Sequence, residues 1–222
     1  MRGARLVLSS RREPALRALA RSLPGGEERH SIEVADLAEG GAAAKLIADA
    51  GDIDGLIANA ALPATGHLES FSEEELARAL RVNLEAPIFM ARELGPALAA
   101  RREGHFVFIA SLAGKVGAPR SSIYNATKFG LRGFAFGFRE DMHPHGVGVS
   151  LVSPGFVRDA GMFHDSRSKP PPGLGTTTPG KVGAAVVRAI EQDRSEITVA
   201  PRRQRLLSEI GYRHPELAAR IQ

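Results

Sequence analysis

The chain has 222 residues, 43% of them hydrophobic and 24% charged, with a formal net charge of +4; this is the composition of one ordinary globular domain, long enough to bury a core without metal or disulfide. It contains no cysteine, which excludes disulfides, thiol nucleophiles, zinc–thiolate sites and iron–sulfur clusters and is compatible with a reducing cytoplasm. The longest stretches without Asp, Glu, Lys or Arg, residues 55–68 and 142–157, are too short to span a bilayer, and the run Leu6 to Leu8 is too short for a secretory signal core, so a soluble cytoplasmic protein with no membrane partner is expected.

Segments of two periods alternate along the chain. RLVLS at 5–9 is an apolar run of strand type, and residues 14–23 place Leu16, Leu19 and Leu23 at helical spacing before Pro24, Gly25 and Gly26 close the segment. Residues 32–37 read as a second strand, 42–50 as a helix ended by Gly51, and 53–58 as a third strand. Ser72 with Glu75 forms a capping box opening a helix that runs, bent near Pro87, towards Arg101. HFVFIA at 105–110 is strand, 122–141 helix and 147–153 strand. A loop rich in Pro and Gly (169–180) precedes a helix at 179–192, a last strand at 196–200 and a mostly helical stretch at 204–221. The strands are continuous apolar runs, as in parallel sheets covered on both faces, so the expected fold class is α/β, a doubly wound, mostly parallel sheet in one domain. In such sheets ligands bind beyond the carboxyl ends of the strands.

Charge distribution argues against a nucleic-acid partner. Residues 1–29 hold seven Arg against three Glu and residues 200–222 five Arg against two Glu, so the basicity sits at the two ends, with no basic stripe interleaved with aromatics.

Tyr124 and Lys128 stand four apart on the helix at 122–141, on one face. Taken alone the pair is also what a solvated helix surface would show, and chance supplies it in roughly one such sequence in twenty. Its context is sharper: Ser111 lies at the carboxyl end of the HFVFIA strand, 13 positions before the tyrosine. A serine there is otherwise a turn or helix-cap residue.

ASLAG at 110–114, YNATK at 124–128, VNLEAP at 82–87, NAA at 59–61 and SPGFV at 153–157 together resemble the short-chain dehydrogenase/reductase family, in order and spacing, over nearly the whole chain. The resemblance implies a Rossmann-like fold and hydride transfer between a nicotinamide cofactor and a carbonyl or alcohol. A free phenol, with a pKa of about 10, is a poor base at neutral pH, so the lysine one turn away would favour its ionised form. By the resemblance Tyr124 exchanges the proton, Lys128 activates it and holds the nicotinamide ribose, and Ser111 supports the substrate oxygen as charge develops. Asn83 would anchor a water of a proton relay; by itself it is also an asparagine that satisfies backbone groups at a helix kink.

Cofactor contacts follow the same map. Asp36, with Leu37, would meet the adenine, though Asp36 is equally a helix cap. Asn59 and Ala60 would pass the adenosine ribose, in a segment reading Ala58-Asn59-Ala60-Ala61 where the family has Asn-Asn-Ala-Gly. Pro154, Gly155 and Val157 would touch the nicotinamide, while Asp159 stands where a threonine is common. At the end of the first strand Ser10 is followed by Arg11 and Arg12 rather than an acidic residue, which favours NADP(H) over NAD(H); the bland alternative is a solvated turn. No metal site is expected. Phe156, Met162 and Phe163 suggest a fairly hydrophobic substrate. Four of ten phenylalanines lie at 129–138, which by the resemblance points to a homodimer or homotetramer.

One piece of the family pattern is absent. No Gly-x-x-x-Gly-x-Gly joins a strand to a helix anywhere in the sequence, so the backbone cradle for a pyrophosphate has no candidate. The family places a strand, that turn and a helix, about 30 residues, ahead of the strand at 5–9. Its strand would be the central one of the order 3-2-1-4-5-6, so the edges on both sides of the gap are expected to be unpaired. Two expectations follow: an oxidoreductase whose sequence here starts late, lacking the first βα unit, or a degenerate member that binds a partner or oligomerises without turnover. For the 222 residues as they stand, weak NADPH binding and little activity are expected.

Overall fold

A computed structural model describes residues 3–166 and 170–216. The chain runs β1 (Val7–Ser10), α1 (Glu13–Ser22), α2 (Gly26–Arg29), β2 (Ser31–Val34), α3 (Ala42–Ala50), β3 (Gly55–Ala58), α4 (Glu73–Leu80), α5 (Ala86–Arg101), β4 (His105–Ile109), α6 (Ser122–Met142), β5 (Gly148–Pro154), α7 (Met162–Asp165), α8 (Pro179–Glu191), β6 (Glu196–Val199) and α9 (Arg202–Arg213). The short helices α2 and α7 carry too little periodicity to be legible in the sequence. The expected helix at 204–221 ends at Arg213, and its last residues, 217–221, lie outside the described ones.

Local chemistry sets the element ends. The expected strand at 32–37 stops at Val34 because the Asp36 carboxylate accepts the Ala38 N–H at 2.9 Å and turns the chain. Ser72 and Glu75 cap α4 reciprocally, and Thr178 accepts from Lys181 N ahead of Pro179 to open α8. The expected helix from Ser72 towards Arg101 is helical without a break from Glu73 to Arg101 but changes character at Arg81–Glu85, a π-helical segment that holds Asn83. Pro87 explains it: a proline cannot donate to the carbonyl four residues back, here Asn83, and its ring crowds that carbonyl, so the turn widens.

Every strand pair is parallel. β3-β4-β5-β6 form one sheet in that order, and β1-β2 form a separate one, with Val7 opposite Ser31 and Ser10 opposite Val34. No ladder joins β1 to β3, so the sheet is divided where the unpaired edges were expected. Helices cover both faces of the four-stranded sheet. On one, Met90, Ala91, Leu94 and Leu98 of α5 and Leu131 and Ala135 of α6 pack on Phe106 and Phe108; on the other, Ala185, Val186 and Ala189 of α8 pack on Val107, Ile109 and Val152. Phe134 and Phe138 meet Phe108 and Phe106 edge-on, with ring centroids 5.4 and 5.1 Å apart, so two of the four clustered phenylalanines serve the chain's own core. No helix among the described residues is long and apolar enough to cross a membrane.

Candidate active site

The carboxyl ends of β3, β4 and β5 bring the expected catalytic residues together. Ser111 follows β4 in extended backbone, and its Oγ accepts the Ala113 N–H at 3.1 Å, capping the short 3-10 turn Leu112–Gly114. The serine is thus a cap residue, and its hydroxyl also bears on the Tyr124 phenol, favouring its ionised form. The turn lies directly on α6: a Cβ on Gly114 would come within 2.7 Å of the Lys128 carbonyl, which only glycine allows.

Burial governs the electrostatics. Desolvation raises the Tyr124 pKa above its usual 10, and the Ser111 hydrogen bond works against that rise by favouring the phenolate. Lys128 is 2% exposed and forms no ion pair among the described residues; burial lowers its pKa to about 8. Its Nζ donates to Ile109 O at 3.0 Å and sits 5.7 Å from the Tyr124 ring centroid. An ammonium has three donors, and Ile109 takes one.

Asn83 is fully buried, and its side chain is committed to the loop after β3: Oδ1 accepts from Leu62 N at 2.6 Å and Nδ2 donates to Leu62 O at 2.9 Å. The asparagine that satisfies backbone groups at a helix kink is therefore present in the structure. Its π segment packs on α6, where a Cβ on Gly130 would press on Leu84.

Three side chains to which the sequence reading gave no role hold this site in place. Asn125 bonds Ala113, Val116 and Ala118 of the loop after Ser111. Lys115, next along that loop, bonds Thr198 at 3.1 Å and pairs with Glu196 at 3.1 Å; Glu196 also takes Arg132 of α6 at 3.2 Å and the Ser153 hydroxyl at 2.9 Å. Arg132 lies between the rings of Phe136 and Tyr212. Burial pushes the Glu196 pKa up, but the Arg132 hydrogen bond and the Lys115 charge outweigh it and hold the carboxyl below its usual range. Nothing in spacing pairs residues as far apart as Lys115 and Glu196; the clue was only that charged residues flank apolar strand ends.

The residues assigned to the nucleotide end form a second group, on the two-stranded sheet. Ser10 ends β1 with its Oγ accepting from Arg12 N at 3.1 Å, and the Arg11 and Arg12 side chains are exposed. Arg11 comes within 3.7 Å of Asp36, to which Arg78 of α4 also donates at 2.9 Å; the Ala38 amide and these two cations lower the Asp36 pKa. Asp36 is thus a turn-capping carboxylate held among arginines, and Leu37 beside it packs on the core. Asn59 and Ala60 are exposed just past β3. Pro154 closes β5, and Gly155 follows where a Cβ would collide with the Gln204 amide oxygen. Gln204, buried on α9, donates to Leu174 O and Gly175 O, while Val157 bridges Thr177, so both roots of the 156–178 excursion are tied down. At Asp159 the backbone is left-handed (φ 73), a conformation unfavourable to the β-branched threonine common there.

The family model for short chain dehydrogenases matches residues 1–171. The chain is 38% identical over 149 residues to a ketoacyl reductase, HetN, of a Nostoc strain (67% of this chain, 52% of that one). It is 33% identical over 165 residues to dehydrogenase/reductase SDR family member 7B of Bos taurus (70% and 51%). The chain thus spans about half the length of these curated relatives. Among solved structures, a metagenomic short-chain oxidoreductase in complex with NADP superposes with a TM-score of 0.76 at 32% identity, covering 90% of this chain and 87% of that one. A short-chain dehydrogenase from Streptomyces avermitilis shares the fold with a TM-score of 0.81 at 23% identity, covering 99% and 85%. The chain belongs to the short chain dehydrogenase family.

Proposed function

We propose that this protein is an oxidoreductase that moves a hydride between NADP(H) and a carbonyl or alcohol, with Tyr124 handling the proton. One observation carries the reading: a half-buried phenol, a serine hydroxyl that favours its ionised form and a desolvated ammonium meet at the carboxyl end of β4. Bound there, the nicotinamide would supply or take the hydride. Tyr124 would pass its proton to the substrate oxygen in reduction and accept it in oxidation. Ser111 would donate to that oxygen as charge grows on it. The free donors of Lys128 suit ribose hydroxyls, and a cation at that position lowers the energy of the phenolate.

The residues fit the cofactor at its two ends. The nicotinamide end has Lys128 and the Pro154–Gly155 turn; the adenosine end has Asp36, Leu37, Asn59 and Ala60, and the exposed Arg11 and Arg12 match the additional phosphate of NADP(H). Two relatives in solved structures, the metagenomic oxidoreductase and a gluconate 5-dehydrogenase, are titled as complexes with NADP, which supports the same choice. The apolar pair Phe156 and Phe163, ring centroids 4.9 Å apart, favours a fairly hydrophobic substrate. The proposal extends to a homo-oligomer, supported by Phe89 and Phe129 exposed on α5 and α6, and to a cytoplasmic setting, supported by the lack of cysteine.

Tyr124→Phe tests the reading. In a chain supplied with a glycine-rich βα unit ahead of β1, it is expected to abolish NADPH-dependent reduction of a ketone panel while leaving NADPH binding in place, and undiminished turnover overturns the assignment. A second reading, a family member that binds or oligomerises without turnover, is favoured by the absence of a glycine-rich turn from the 222 residues. The nucleotide sequence upstream of Met1 separates the two: an in-frame glycine-rich turn there supports the first, and a stop codon immediately before Met1 supports the second.

A further inference from the structure

Asn125 neighbours Tyr124 on α6 but turns its amide away from the phenol, into the loop that follows Ser111. Its Nδ2 donates to Ala113 O at 2.6 Å and Val116 O at 2.8 Å, and its Oδ1 accepts from Ala118 N at 3.2 Å. Both amide donors are used, and the residue is buried. Ala113 is also the residue whose N–H is bound by Ser111 Oγ. One peptide residue therefore links the two: its N–H goes to the serine hydroxyl and its carbonyl to the asparagine amide. The chain from Tyr124 to Asn125, from Asn125 to Ala113 and from Ala113 to Ser111 leads back to the serine hydroxyl that tempers the rise of the Tyr124 pKa. The loop's other ties lead elsewhere. Lys115 anchors it to β6, and Gly114 meets α6 only by close contact.

We infer that Asn125 is a positioning residue that places the Ser111 hydroxyl beside the Tyr124 phenol by fixing the carbonyl of Ala113, whose N–H binds that hydroxyl, to the helix that carries the tyrosine. The side-chain type is dictated by its partners. Two carbonyls and one N–H require two donors and one acceptor in a short planar group. A carboxylate there would face two carbonyl oxygens without a proton to give them, and an alanine would leave three backbone groups of the loop without their side-chain partner.

The inference rests on Ser111 and Tyr124 being the reacting pair, but its test requires no turnover, so its failure would leave the Tyr124→Phe result standing. The chain has two tyrosines, and Tyr212→Phe leaves Tyr124 as the only one. With tyrosine labelled with carbon-13 at the ζ position, that single resonance reports the hydrogen bond to the phenol at neutral pH. Ser111→Ala is expected to shift it. Asn125→Ala should shift it in the same direction by more than half as much, and the double variant should shift it no further than Ser111→Ala alone. The inference is overturned by an unmoved resonance in either single variant of a folded protein, or by shifts that sum in the double variant. Should Asn125→Ala not fold, Asn125→Ser keeps one donor and is read the same way: a smaller shift in the same direction supports the inference, and none overturns it.

Discussion

The two sheets of this chain are made of similar residues in different surroundings. In the four-stranded sheet, Phe106 and Phe108 of β4 and Leu151 and Val152 of β5 are wholly buried, because α5 and α6 cover one face and α8 the other. In the two-stranded sheet Val34 is 53% exposed, and on the β3 edge that faces no partner strand Ile57 is 49% exposed. Apolar strand sequence is thus a demand for cover rather than proof of it. The proposed functions divide along the same line. Ser111, Tyr124 and Lys128 sit where packing is dense and geometry is held, while Ser10, Arg11 and Arg12 sit on the open pair, where charge rather than enclosure is on offer.

Four changes probe that contrast, in decreasing order of expected effect. Phe108→Ala should remove about 3–5 kcal/mol of unfolding free energy in urea melts, since it opens a cavity between β4 and α6. A loss under about 1 kcal/mol would mean the four-stranded core is no better packed than the pair. Glu196→Ala should remove about 3 kcal/mol by leaving Lys115 and Arg132 without their shared carboxylate. The pH dependence follows from the sign of its shift. Its folded pKa lies below the ordinary 4.5, so its stabilisation is present above that value and is lost as pH falls through the folded pKa. Acid unfolding curves of wild type and Glu196→Gln should therefore converge in that range.

Lys128 carries the contrast to a charge. Between about 8 and 10.5 the unfolded chain binds more protons than the folded one, so stability rises with pH across that window. Lys128→Met should raise stability at neutral pH by about 2 kcal/mol, with the advantage fading as pH approaches 10.5. A destabilised Lys128→Met at neutral pH would show that the ammonium is better solvated than its burial implies. The smallest effect is expected at the open edge: Ile57→Thr should change stability by less than about 0.5 kcal/mol. A loss of about 2 kcal/mol or more would show that Ile57 is covered and would break the comparison.

Much of this was legible in the residues. The capping box at Ser72 and Glu75, the proline at 87, and the 13-residue spacing from Ser111 to Tyr124 are local or periodic signals, and local signals survive folding. Asn125 was not legible, since its partners are backbone carbonyls that any residue supplies. Nor was Gln204, whose partners lie about 30 residues away on an excursion of irregular backbone. The strand at 32–37 was drawn too long because hydrophobicity continues through Leu37 while a single carboxylate, that of Asp36, turns the chain earlier.

By itself the sequence determined the alternation of strand and helix, the family, and the residues gathered at the end of β4, because those depend on period, spacing and residue type. Only the tertiary structure decided that Lys128 is a desolvated ammonium bonded to the Ile109 carbonyl, that Asp36 is held among arginines, and that Glu196 gathers two cations beneath the Ser111 loop. Charge state and hydrogen-bond partnership depend on what surrounds a group in space, and residues distant along the chain supply those surroundings.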